Sequence, residues 1–167
     1  IPSHGSEKIE VKVINICPNL DIALLKTVNF INEEYYELYD IDYIYNLNIG
    51  KDVYAIGFPL GQDNLKITKG IISGIQFSSI QIDAPINPGN SGGPIIDKDK
   101  GHLAAVAVAR MEGSHYQSIN YGIKASRVKE FIESNSILLP QTTSKSKKIK
   151  KKDIGEILEN STVLIYH

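Results

Sequence analysis

Between two apolar segments the chain reads Asp83-Ala-Pro-Ile-Asn-Pro-Gly-Asn-Ser-Gly-Gly-Pro94. A run so rich in Pro, Gly and Asn turns sharply rather than continuing a helix or a strand. It therefore forces the segments on either side into short elements joined by a tight loop. Its one hydroxyl, Ser91, sits among Gly89, Gly92 and Gly93, which supply the freedom in φ that such a loop needs. A weak hydroxyl becomes a nucleophile only when a turn exposes it and backbone N–H groups can hold the oxyanion that forms. The plainer reading is an ordinary β-turn, since the same residue types dominate turns everywhere. The length of the string favours the nucleophile.

The rest of the chain reads as short strands. Ile9 to Ile16 alternates apolar and polar residues and predicts a half-buried strand. Ile22 to Leu25, Val53 to Ile56, Leu65 to Ile75, Phe77 to Asp83, Leu103 to Ala109 and Ser118 to Ile123 predict further strands, with bends at Gly70 and Gly74. Pro94 to Ile96 leads into the polar hairpin turn Asp97-Lys-Asp-Lys-Gly101. Residues 29–42 read as an excursion over the surface. Ser126 reads as an N-cap, followed by Val128, Phe131 and Ile132 at helical spacing and Asn135 as a stop. Regularly spaced strands with one late helix argue for an all-β barrel protein.

The loop Ile86-Asn-Pro-Gly-Asn-Ser-Gly-Gly-Pro94 resembles the nucleophile loop of the HtrA/Deg branch of trypsin-fold serine proteases. Asp21-Ile-Ala-Leu-Leu-Lys26 resembles the segment around that family's triad aspartate. Val53-Tyr-Ala-Ile-Gly-Phe-Pro-Leu-Gly61, followed by Ile67-Thr-Lys-Gly-Ile-Ile-Ser-Gly74, resembles the strands that open its second barrel. The resemblance runs from about Ile9 to Asn135. It implies a trypsin-like double β-barrel whose first barrel is incomplete, with a closing helix. It implies a serine endopeptidase in which Ser91 attacks the scissile carbonyl and Asp21 orients a histidine. The N–H groups of Gly89 and Ser91, with Asn90 between them, would form the oxyanion hole. Pro85, Ile86 and the strand carrying Val106, Ala107 and Val108 would wall the specificity pocket. Pro85 stands where enzymes that cut after Lys or Arg place an acid, so a small or medium apolar residue is expected before the cut.

The family's histidine precedes its aspartate, and only twenty residues stand before Asp21. Among them His4 lies in a polar turn and reads as a solvated loop residue. His102, His115 and His167 follow the serine, in the wrong order. The catalytic His is thus missing from this chain and expected upstream, or the chain is a truncated paralogue. The alternative function is a catalytically inactive protease fold that holds an extended peptide by strand addition. Relatives often form trimers, so a homo-oligomer is expected alongside a polypeptide partner.

Composition excludes several other classes. The residues 145–152 hold six of the 18 basic residues and no acid, which leaves 12 basic against 19 acidic residues elsewhere, a net of −7. That body is not a nucleic-acid platform. The lysine run itself reads as a solvated linker rather than as an anionic-surface contact or a nuclear address. One cysteine, Cys17, precludes an intrachain disulfide and reads as a small buried filler at a strand end. No apolar run spans a bilayer, no signal peptide is legible, and a soluble, disulfide-free chain of open compartment follows. The scattered histidines suggest no metal site, and no glycine motif suggests a phosphate cofactor. The organisation expected is a protease domain over 1–135, a basic linker over 136–152, and a helix-strand extension over 153–167. In that extension Asp153 and Glu156 form a capping pattern.

Overall fold

A computed structural model of the chain describes residues 9–28, 45–59, 64–108 and 120–139. Within these residues lie eight complete strands and one complete helix, in order: β1 Val11–Cys17, β2 Ile22–Thr27, β3 Asp52–Gly57, β4 Lys66–Ile75, β5 Ser79–Ile82, β6 Pro94–Asp97, β7 Leu103–Val108, β8 Asn120–Lys124 and α1 Ala125–Ser134. The expected surface excursion over 29–42, the end of the β7 stretch at Ala109, and the linker and extension beyond 139 lie outside the described residues, as do His4, His115 and His167.

β3 to β8 close into a six-stranded barrel in the order β3-β4-β5-β8-β7-β6, every pair antiparallel. Closure removes the unpaired edges that an open sheet of this composition would expose. The interior follows from the alternation of each strand. Val53 and Ala55 on β3, Ile72 on β4, Ile80 and Ile82 on β5, Ile95 on β6 and Ala105 and Ala107 on β7 are all buried. Bulk on one wall is matched by small residues on the other. A Cβ on Gly122 of β8 would stand 2.6 Å from Ile95 Cδ1 and 2.8 Å from Ala105 Cβ. Each fully buried isoleucine contributes about 1.5–3 kcal/mol of transfer free energy.

β1 and β2 form a separate two-stranded sheet, with a register shift between Val13 and Asn15. Here the pattern misleads. Six of the seven β1 residues are exposed, Val13 at 59% and Ile16 at 58%. The alternation of Ile9 to Ile16 predicts one buried face, but β1 is exposed on both faces, while Ile22, Leu24 and Leu25 of β2 are half-buried. Among the described residues the hairpin meets the barrel side of the molecule at one end. Asn15 Nδ2 donates to Asn135 Oδ1 at 2.7 Å. Cys17 and Leu20 line a groove of about 350 Å³ with Phe77, Phe131 and Ser134. Cys17 is therefore half-buried at the groove rather than a core filler.

Two local expectations are corrected. Ser126 is not an N-cap: β8 runs into α1 through Lys124, with φ −52° and ψ 138°, and no side chain caps the helix. Lys124 N–H is still bound to Ser78 C=O, so no loop residue intervenes to act as a cap, and Ser126 lies buried in the first turn. β4 is one ten-residue strand; the irregularity falls between Ile72 and Gly74, and Gly70 bears a different load, described below. The stop at Asn135 is as expected. Its N–H binds Ile132 C=O and Ser136 follows at φ 62°. Among the described residues no helix is long and apolar enough to cross a membrane.

Candidate active site

Two consecutive tight turns present Ser91. In the first, Asn90 N–H donates to Asn87 C=O at 2.9 Å across Pro88 and Gly89, with Gly89 at φ +98°. Proline followed by a residue of positive φ is the pattern of a type II turn. In the second, Gly93 N–H donates to Asn90 C=O at 3.0 Å across Ser91 and Gly92, with Gly92 at φ +82°. Ser91 stands at the corner of this second turn and is exposed. Gly89 and Gly92 supply the left-handed backbone that the sequence predicts. Gly93 serves a different end: a Cβ there would stand 2.0 Å from Ile56 C=O, so this glycine provides room.

The double turn is bound to the barrel on two sides. Gly92 N–H donates to Ala107 C=O and Ala107 N–H donates to Gly93 C=O, both at 2.8 Å. Phe58 N–H donates to Gly89 C=O at 3.3 Å. Asn90 is 1% exposed, and its Oδ1 is buried without a hydrogen-bond donor among the described residues. These anchors fix the peptide planes. The Asn90 carbonyl points at Gly93, so the Ser91 N–H of the same trans peptide points the other way. A loop of fixed amides beside an exposed hydroxyl can hold developing negative charge without reorganising.

The segment that leads into the loop is pinned as well. Asp83 Oδ1 accepts Ile71 N–H at 2.6 Å, Ala84 C=O accepts Asn120 Nδ2 at 2.8 Å, and Pro85 C=O accepts Thr68 Oγ1 at 2.8 Å. Gly70 makes this possible, since a Cβ on it would stand 2.3 Å from both Ala84 N and Asp83 Oδ1. Pro85 is exposed, while Ile86 is half-buried against the core. Of the expected pocket residues on β7, Val106 and Val108 are half-buried and Ala107 belongs to the core cluster. Ala107 therefore meets the loop through its backbone.

Asp21 lies on the other sheet. It is exposed, at φ 54°, at the end of a turn in which Leu20 N–H binds Cys17 C=O and Asp21 N–H binds Pro18 C=O. Aspartate tolerates this left-handed backbone better than most residues. The barrel thus gathers Pro85, Ile86, Gly89, Asn90, Ser91 and the β7 residues, and the hairpin carries Asp21. The sequence reading missed Phe58, Thr68 and Asn120. Their neighbours in sequence carry no signal of contact with Gly89, Pro85 and Ala84, which lie far along the chain from them.

The trypsin-like peptidase domain family matches residues 2–106. Over 143 residues the chain is 31% identical to the serine protease DegP homolog of Plasmodium falciparum (isolate 3D7), an alignment covering 79% of this chain and 16% of that protein. It is 34% identical over 102 residues to the serine protease Do-like HtrA of Bacillus subtilis (strain 168), covering 53% of this chain and 22% of that one. The chain thus spans less than a quarter of the length of either relative. Among solved structures, that of the HtrA-type protease AlgW with decapeptide superposes with a TM-score of 0.65 and 29% sequence identity, over 75% of this chain and 40% of that one.

Proposed function

We propose, from the premise that the chain belongs to the HtrA-like branch of the trypsin-like peptidase family, that it is the nucleophile-bearing part of a serine endopeptidase. One observation carries the reading: Ser91 stands exposed at the corner of a doubly anchored turn whose amides have fixed directions. Ser91 Oγ attacks the scissile carbonyl, and its proton passes to a histidine that later delivers it to the leaving amine. The carbonyl oxygen becomes the oxyanion held by the Gly89 and Ser91 N–H groups. Water then hydrolyses the acyl-enzyme and regenerates the hydroxyl.

Asp21 is assigned to orient that histidine and to stabilise its protonated form. The substrate is an extended polypeptide, a reading supported by the decapeptide in the AlgW structure. A small or medium apolar side chain would fill the pocket walled by Pro85, Ile86, Val106 and Val108, with the backbone of Ala107.

The test is labelling of the full-length protein with a fluorophosphonate probe. Phosphonylation at Ser91 is expected, together with a loss of peptide hydrolysis of about 10⁴-fold or more in Ser91→Ala. An unlabelled Ser91, in a protein whose Ser91→Ala variant still binds peptide, would replace this reading with the peptide-binding module.

A further inference from the structure

The backbone ladder of β4 with β5 ends at Ile82, yet the chain does not leave β4 there. Asp83 N–H still reaches Ile71 C=O at 3.3 Å, and its carboxylate takes the Ile71 N–H. Ala84 then crosses Gly70, and Pro85 reaches Thr68. Residues 83–85 therefore continue β5 along β4 by one backbone bond and then by bonds made with side chains. Pro85 has no N–H to offer, so only its carbonyl can be held. Thr68 is itself paired with Ala55 in the β3–β4 ladder, which commits its backbone. Its hydroxyl is the donor left over. That hydroxyl carries one proton; it lies 2.8 Å from Pro85 C=O and 3.4 Å from Ala55 C=O, so the shorter contact takes it. From the opposite side, Asn120 at the start of β8 holds Ala84 C=O.

The consequence is geometric. The stretch 83–85 is fixed by Thr68 and Asn120, and the stretch 89–93 is fixed by Phe58 and Ala107. The pocket wall, Pro85 and Ile86, starts at the end of the first stretch and leads into the short span between them. We propose that Thr68 and Asn120 are positioning residues that set how far the Pro85–Ile86 wall stands from Ser91, and hence which side chain the pocket admits. This rests on the endopeptidase reading. Loss of either bond frees the wall to move outward, and larger side chains gain relative to small ones.

The experiment measures kcat/KM of the full-length protein on extended peptides that differ only in Ala, Val, Leu or Phe before the scissile bond. Thr68→Val, which keeps the shape and loses the donor, should raise the Leu-over-Ala preference about fivefold, the worth of one neutral hydrogen bond. Asn120→Ala, on another strand, should shift the ratio the same way. Thr68→Ser restores the donor and should return the ratio to within about twofold of the parent. A ratio between two substrates cancels the amount of active enzyme, so partial unfolding alone leaves it unmoved. Cleavage with unchanged ratios in both Thr68→Val and Asn120→Ala overturns this assignment alone, as does a Thr68→Ser variant that behaves like Thr68→Val. A parent protein that cuts none of the peptides and leaves Ser91 unlabelled overturns the endopeptidase reading and this assignment with it.

Discussion

The carbonyl of Asn90 accepts the Gly93 N–H at 3.0 Å, and the trans peptide it belongs to therefore turns the Ser91 N–H away from Gly93. The Gly89 carbonyl is held in the same manner by Phe58. The double turn is thus a set of oriented amides, held by the barrel, with a hydroxyl at its corner.

Gly89 and Gly92 both have positive φ, yet they should respond differently to alanine. A Cβ on Gly92 meets nothing within 4 Å, so Gly92→Ala pays only for its left-handed backbone, about 1–2 kcal/mol. A Cβ on Gly89 would stand 2.2 Å from Phe58 C=O, which forces the turn off its anchor. Gly89→Ala is expected to slow fluorophosphonate labelling of Ser91 by about 10²-fold or more, the scale of one lost oxyanion donor. Equal labelling rates in the two variants would show that the Phe58 anchor does not matter.

Gly57, at the end of β3, faces the same loop from below. Its φ is not left-handed, but a Cβ would stand 2.7 Å from Asn90 Cα and 2.8 Å from Asn90 Oδ1. Gly57→Ala should destabilise the barrel by about 1–3 kcal/mol in denaturant titration, as overpacking does. Adding Asn90→Gly removes the side-chain clash and leaves the Cα clash, so the double variant should recover only part of the loss. Full recovery would place the whole strain in the Asn90 side chain.

The strands of the barrel were legible because each carries its own record of burial: Val53 and Ala55, or Ile80 and Ile82, alternate inward. The nucleophile loop was legible because Pro and Gly at fixed offsets dictate turns. What periodicity cannot report is whether a second layer exists. β1 alternates like a half-buried strand and is open on both faces. Contacts made by single side chains across the fold were also silent. Nothing around Thr68 or Asn120 announces that each holds a carbonyl 17 or 36 residues away. Ser126 has the right residue type for a cap, but capping needs a break in the backbone that the direct passage from β8 to α1 does not provide.

Acid should weaken the barrel where β3 meets β6. Burial raises the Asp97 carboxyl, but the Lys51 ammonium at 3.0 Å and the N–H groups of Lys100 and Asp99 more than offset it, leaving the group below its ordinary value. Asp52 is likewise held low, by Lys98 first and then Lys69. A carboxyl whose folded pKa is depressed stabilises the protein above its unfolded pKa, and that stabilisation is lost as pH falls through the folded value. The thermal midpoint should therefore decline below about pH 4, where unperturbed aspartate begins to protonate. Asp97→Asn removes the charge and should cost about 1–3 kcal/mol at neutral pH. Its midpoint should also fall less steeply in acid than the parent's. A variant with an acid limb as steep as the parent's would assign that limb to other carboxylates.

Asn135 both ends α1 and tethers the hairpin that carries Asp21. Its Nδ2 donates to Phe131 C=O at 2.7 Å, and its Oδ1 accepts from Asn15 Nδ2 at 2.7 Å. With β1 open on both faces, that bond and the groove around Cys17 and Leu20 hold the hairpin's end against the barrel among the described residues. Asn15→Ala cuts the tether and leaves the helix end intact. Asn135→Ala cuts both. Each variant should speed amide exchange over 11–27 about fivefold, the effect of one lost hydrogen bond, and only Asn135→Ala should also speed exchange in the last turn of α1. Exchange in Ile72 and Ile80, inside the closed barrel, should be unaffected by either. If Asn15→Ala leaves the hairpin as protected as before, the groove alone holds it, and Asp21 is positioned by apolar contact rather than by this pair of amides.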